Sequence, residues 1–157
     1  MRPPAPINRN RRTVMFSPDR DTLRRYLASA WHKSNARLPL EPLEHQIAAL
    51  VRQHPEYQPL LADPDIAAAQ DFTLEAGESN PFLHLSLHLA IHEQISIDQP
   101  PGIRAAYDTL RAKMDAHDAE HILLECLGET IWRAQRQGTP MDAAAYVDAV
   151  RRKGSLI

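Results

Sequence analysis

The chain has one cysteine, Cys126, among its 157 residues, which excludes an internal disulfide. No apolar segment of the signal-peptide kind opens it, so a reducing cytoplasm is the expected compartment. No apolar run approaches the roughly 20 residues that a membrane-spanning helix needs, and no membrane span is expected. Neither sign of charge dominates: 18 basic against 20 acidic residues leave a net charge of -2. That balance argues against a broad basic surface for nucleic acid and is too mild to keep the whole chain unfolded. Glycines number only five, and nothing resembles a phosphate loop, a nucleophile elbow or a paired-cysteine site. No organic cofactor is indicated. Strand-like alternation and internal repeats are also missing.

What is present is helical periodicity. Residues 1–14, "MRPPAPINRNRRTV", carry three prolines and four arginines without an acid or an apolar period, and read as a disordered tail. Because the pattern starts beside Met15, that methionine is a second candidate for the natural start. Residues 15–153 then read as a single all-α domain, a compact helical bundle of about five to six helices. Ser17 and Pro18 open a first helix running to about Ala36, with Leu23, Tyr26, Leu27, Ala30 and Trp31 on one stripe. A second, with Leu43, Ile47, Leu50 and Val51 inward, stops before Pro55. Prolines at 55, 59 and 64 predict short helical turns over 55–70, and a polar loop follows to residue 79. Asn80 with Pro81 caps a helix to about Ile97, which "DQPPG" ends. Further helices are expected from Gly102 to Met114, from Asp115 to Arg136 with Gly138 as its stop, and from a Thr139–Pro140 cap to Arg152.

Histidines recur on two of these helices. In "NPFLHLSLHLAIHEQ" the residues His84, His88 and His92 fall at about 0°, 40° and 80° around a helix, inside the apolar arc and away from Ser86, Glu93 and Ser96. In "HDAEHILLECLGE" the residues His117, His121 and Glu125 take the same three angles, and Glu120 lies mid-arc. If a break near Asp115 makes the two helices parallel members of a bundle, His84 meets His117, His88 meets His121 and His92 meets Glu125. Gly128 on that face would allow close backbone approach. Side chains four apart stand above one another, so two imidazoles can converge on one ion with bonds of about 2.0–2.1 Å. A third ring another turn away lies about 12 Å from the first and cannot share that ion. Histidines and glutamates facing each other across a bundle core are a usual way to hold non-haem iron, manganese or zinc. The alternative is a metal-free structural or interaction module in which the rings hydrogen-bond to Glu120, Glu125 or backbone carbonyls. A metal-free acid/base site is a third reading, and whether the protein is an enzyme is left open.

The remaining candidates are weaker. "HDAEH" matches the His-x-x-Glu-His pattern of inverted zinc peptidases, but those are far larger and take a further glutamate well downstream, whereas 36 residues follow His121. His32, His45 and His54 read as ordinary helix-face residues, Trp31 and Trp132 as core, and Cys126 as a small buried hydrophobe. Substrate, partner and oligomeric state, a homo-oligomer included, are not legible.

Three stretches, "MFSPDRDTLRRYLASAW", "NPFLHLSLHLAIHEQ" and "AEHILLECLGETIWRAQRQG", resemble an uncharacterised bacterial family, the domain of unknown function 1841, over about residues 15–152. The resemblance brings no activity with it. It implies a shared set of His84, His88, Glu93, His117, Glu120, His121, Glu125 and Cys126. His92 is commonly another residue in the family, which implies a metal core of His84, His88, His117 and His121 with a glutamate. Relatives often carry glycine or proline just before the position of His117, where this chain has "KMDAHDAEH", so one continuous helix over 102–136 is the competing expectation.

Overall fold

The computed structural model describes residues 16–69 and 80–157. The expected tail, the Met15 start and the whole of the expected 70–79 loop lie outside the described residues. The fold is all-α: among the described residues there are seven α-helices, one 3-10 helix and no strand. In chain order they are α1 (Phe16–Asn35), α2 (Pro42–Gln53), the 3-10 helix Pro55–Leu61, α3 (Pro64–Ala69), α4 (Pro81–Ile97), α5 (Ile103–Arg111), α6 (Ala116–Gln137) and α7 (Ala143–Leu156). None of them is long and apolar enough to cross a membrane. The chain divides into two compact units, one reaching to Phe82 and one running from Leu83 to Ile157.

In the first unit, α1 buries Leu27, Ala28, Ala30 and Trp31, and α2 buries Ile47, Ala48, Leu50 and Val51. Three positions expected inside are exposed instead: Leu23, Tyr26 and Leu43. Next to Leu43 it is Glu44 that turns inward. Its carboxylate accepts from the backbone N–H of Glu41 at 3.0 Å and from Lys33 at 2.9 Å. Glu44 thus closes the first turn of α2 and ties it to α1, which a count of apolar residues cannot anticipate. The bond from the Glu41 backbone, reinforced by Lys33, holds its carboxyl below the usual range. His54 is also buried, contrary to its reading as a helix-face residue. It ends α2, its ring stacks on Tyr57 at 5.0 Å and its Nδ1 lies 3.0 Å from Glu56. His32 and His45 are exposed, as expected.

The second unit is built around Ile91, Ile103, Leu110, Leu123, Tyr146 and Val150, each fully buried. Sequence punctuation decides its helix ends. Arg104 donates to the carbonyls of Ile95 at 2.9 Å and Ser96 at 2.5 Å, satisfying the last turn of α4. Gly102 follows at φ 92°, a backbone conformation that residues with a Cβ rarely adopt, which favours glycine there. The expectation of one helix over 102–136 fails at Asp115. Its side chain accepts from the Asp118 backbone at 2.9 Å and starts α6 afresh, four residues after α5 has ended at Arg111 rather than Met114. Gly138 closes α6 at φ 65°, as read from the sequence. For α7 the cap is Asp142, bonded to Ala145 N at 3.0 Å, rather than the Thr139–Pro140 pair.

Two further expectations on α6 are corrected. Its buried positions, Ala119, Glu120, Leu123, Cys126 and Leu127, stop before the apolar stripe does. Trp132 is therefore 55 % exposed with Arg136 over its ring, and a Cβ on Gly128 would meet nothing within 4 Å among the described residues. Cys126 is buried and unpaired to any other cysteine, as expected, and burial pushes its thiol up. Because the Asp115 cap separates α5 from α6, Asp115→Ala is expected to destabilise the second unit by about 1 kcal/mol. Urea denaturation read by circular dichroism measures it, with Asp115→Asn near neutral as control.

Candidate metal centre

Two local starts place the site residues. On α4, Asn80 Oδ1 accepts from the Phe82 backbone at 3.0 Å with Pro81 in the first position, so His84 falls in the first turn and His88 one turn on. On α6, the Asp115 cap sets His117, Glu120 and His121 within the first two turns. Helix α4 is apolar on most sides, with Leu85, His88 and Ile91 fully buried and His84 and His92 half-buried.

Three ring nitrogens converge. His84 Nε2 lies 3.1 Å from His88 Nε2 and 3.3 Å from His121 Nε2. One nitrogen from each of the three lies within 4.8 Å of the other two. His117 joins through ring contact. It stacks on His88 with centroids 5.6 Å apart and meets His121 edge-on at 4.2 Å.

Glu120 anchors the opposite side of His88. Its two oxygens take one ring each: Oε2 lies 2.9 Å from His88 Nδ1 and Oε1 lies 2.7 Å from His92 Nε2. The carboxylate can only accept when ionised, so His88 Nδ1–H donates to it and, with the ring neutral, His88 Nε2 presents a lone pair toward His84. Burial by itself raises the Glu120 carboxyl, but the bonds from His88 and His92, with the charge those rings carry when protonated in acid, outweigh burial and hold it at about 2.

That depression fixes a sign. The unfolded carboxyl titrates near 4.5, so in metal-free protein the native contacts of Glu120 stabilise fully above about 4.5 and are lost as the pH falls from there through about 2. Acid unfolding followed by circular dichroism is expected to be less steep in that window for Glu120→Gln than for the wild type. Equal slopes would show that the carboxylate contributes no pH-dependent stability.

The cluster differs from the one drawn from helix angles. Moving along α4 from His84 to His92, the partner on α6 steps back from His121 to Glu120 instead of forward to Glu125. Of the expected pairs, His88 does meet His121, with ring centroids 5.0 Å apart, whereas His92 meets Glu120 rather than Glu125 and His84 also reaches His121. Glu125 stands apart: its carboxylate is exposed and lies 3.6 Å from Lys153 Nζ. A third residue on a four-residue stripe has drifted about 80° from the first, enough to leave the buried arc. Glu93 is exposed too. His92, expected as a neighbour rather than a ligand, touches the cluster through Glu120. Sequence counting placed Glu120 correctly inside and did not reveal that it bridges two rings.

With that geometry in view, the chain belongs to the family described as Domain of unknown function (DUF1841), whose pattern it matches over residues 19–152. The match includes every residue of the cluster. No curated protein and no solved structure matches the chain.

Proposed function

We propose that the second unit is a metal-binding domain in which His84, His88 and His121 hold a divalent ion of the iron, manganese or zinc type, with His117 packed against two of them. The observation that carries this is the spacing of the nitrogens. Two nitrogens bonded to one tetrahedral ion at 2.0–2.1 Å are separated by about 3.3–3.4 Å, and here the separations are 3.1 and 3.3 Å. Proton placement supports the same reading. His84 Nε2 stands in both short contacts, and a ring nitrogen is a donor or an acceptor but not both. If it donates to the His88 lone pair, it cannot also accept from His121. One cation among the three serves every lone pair at once.

Metal content tests the proposal. Protein purified without a histidine tag is expected to carry near-stoichiometric metal by elemental analysis, and chelation to lower its thermal midpoint. Metal-free protein whose melting is unmoved by zinc, iron or manganese would favour the second reading, a hydrogen-bonded structural module. That reading draws on Glu120, which already joins His88 to His92 without an ion.

A further inference from the structure

Resting on the metal site just proposed, we infer that Glu120 is a positioning residue rather than a ligand, and that the ion is held in a nitrogen-donor, four-coordinate zinc-type site rather than a carboxylate-ligated iron or manganese site.

The two nitrogens of an imidazole point to opposite sides of the ring. His88 turns Nε2 to the His84 and His121 nitrogens and Nδ1 to Glu120. An ion bonded to His88 Nε2 is therefore separated from Glu120 Oε2 by the bond to the metal, the width of the ring and a hydrogen bond of 2.9 Å. Together these come to roughly 7 Å, against about 2.0–2.2 Å for a metal–carboxylate bond. The other oxygen, about 2.2 Å from the first, still falls beyond about 4 Å. It is in any case engaged by His92 at 2.7 Å. For Glu120 to reach the ion it would have to abandon both rings, and the His88 side chain, 0 % exposed, would lose the group that orients it.

The donor set then selects the metal. Manganese and magnesium favour carboxylate and water oxygens, and non-haem iron oxygenases favour two histidines with one carboxylate. Three neutral imidazoles suit zinc better. The arrangement of Glu120 behind His88 is the carboxylate–histidine–metal relay that fixes a ligand's tautomer and raises its basicity. His92 extends that relay by one member, holding the second carboxylate oxygen so that Glu120 keeps its face to His88. Of the other carboxylates on the two helices, Glu93 and Glu125 are exposed.

Cobalt(II) reports coordination number, because four-coordinate cobalt absorbs strongly in the visible and six-coordinate cobalt weakly. Full-length apo-protein titrated with cobalt is expected to give the intense four-coordinate spectrum, displaced by zinc and not by a hundredfold excess of manganese. Glu120→Gln is expected to keep the band positions while weakening cobalt affinity by about 10–100-fold. A weak six-coordinate spectrum, displacement by equimolar manganese, or bands that shift in Glu120→Gln would overturn this inference and leave metal binding standing. The wild-type spectrum still decides the coordination number even if the variant does not fold. No cobalt uptake at all would overturn both the inference and the proposal beneath it.

Discussion

Replacing His88 and His121 together with alanine is expected to abolish metal uptake, with a loss of affinity greater than about 100-fold. The bound comes from the orienting shell, where losing one partner alone costs about 10–100-fold. The pair removes two of three converging nitrogens and leaves His84 Nε2 without the neighbours now 3.1 and 3.3 Å away. Elemental analysis after gel filtration measures the loss. His45→Ala, on an exposed ring, is the control and should retain the ion. Because His88 is fully buried, part of any effect in the double variant is a cavity, so His121→Ala alone, at a half-buried ring, is the gentler companion. Metal retained at wild-type stoichiometry in the folded double variant would sink the site as drawn.

The second large effect concerns what holds α4 in place. Tyr146 on α7 is 0 % exposed and donates its hydroxyl to Gln94 Oε1 on α4 at 2.8 Å. The ring fills the core of the second unit and its hydroxyl reaches the helix that carries His84, His88 and His92; burial pushes that hydroxyl's pKa up. Tyr146→Ala should cost about 3–5 kcal/mol, the range for emptying a buried aromatic site. Tyr146→Phe keeps the ring and loses one hydrogen bond, for about 1 kcal/mol. Chemical denaturation of the two variants separates packing from hydrogen bonding. Equal losses in both would mean that the hydroxyl, not the ring, dominates.

The two cases show why some features were readable and others were not. Helix starts were legible at Asn80 and Asp115, where one side chain does the work within three residues of its own backbone, though the same device at Asp142 escaped behind Thr139 and Pro140. A stop was legible at Gly138, where glycine tolerates a positive φ. The candidate histidines were legible because a spacing of four places rings on one side of any helix. Glu44 and His54 escaped because each is buried by a partner that no apolar pattern specifies. Trp132 was misplaced because an apolar stripe says which side could pack and not how far the neighbour extends.

The sequence by itself therefore determined the all-α class, most helix ends and the confinement of His84, His88, His117, Glu120 and His121 to inward-facing arcs. These are local properties, fixed by backbone hydrogen bonding and a period of 3.6 residues. Only the tertiary structure decided which rings meet, that Glu120 spends both oxygens on His88 and His92, and that Glu125 turns to Lys153. Those outcomes depend on the angle and register at which α4 crosses α6. That crossing is set by the summed packing of a whole core and is written in no single stretch of residues.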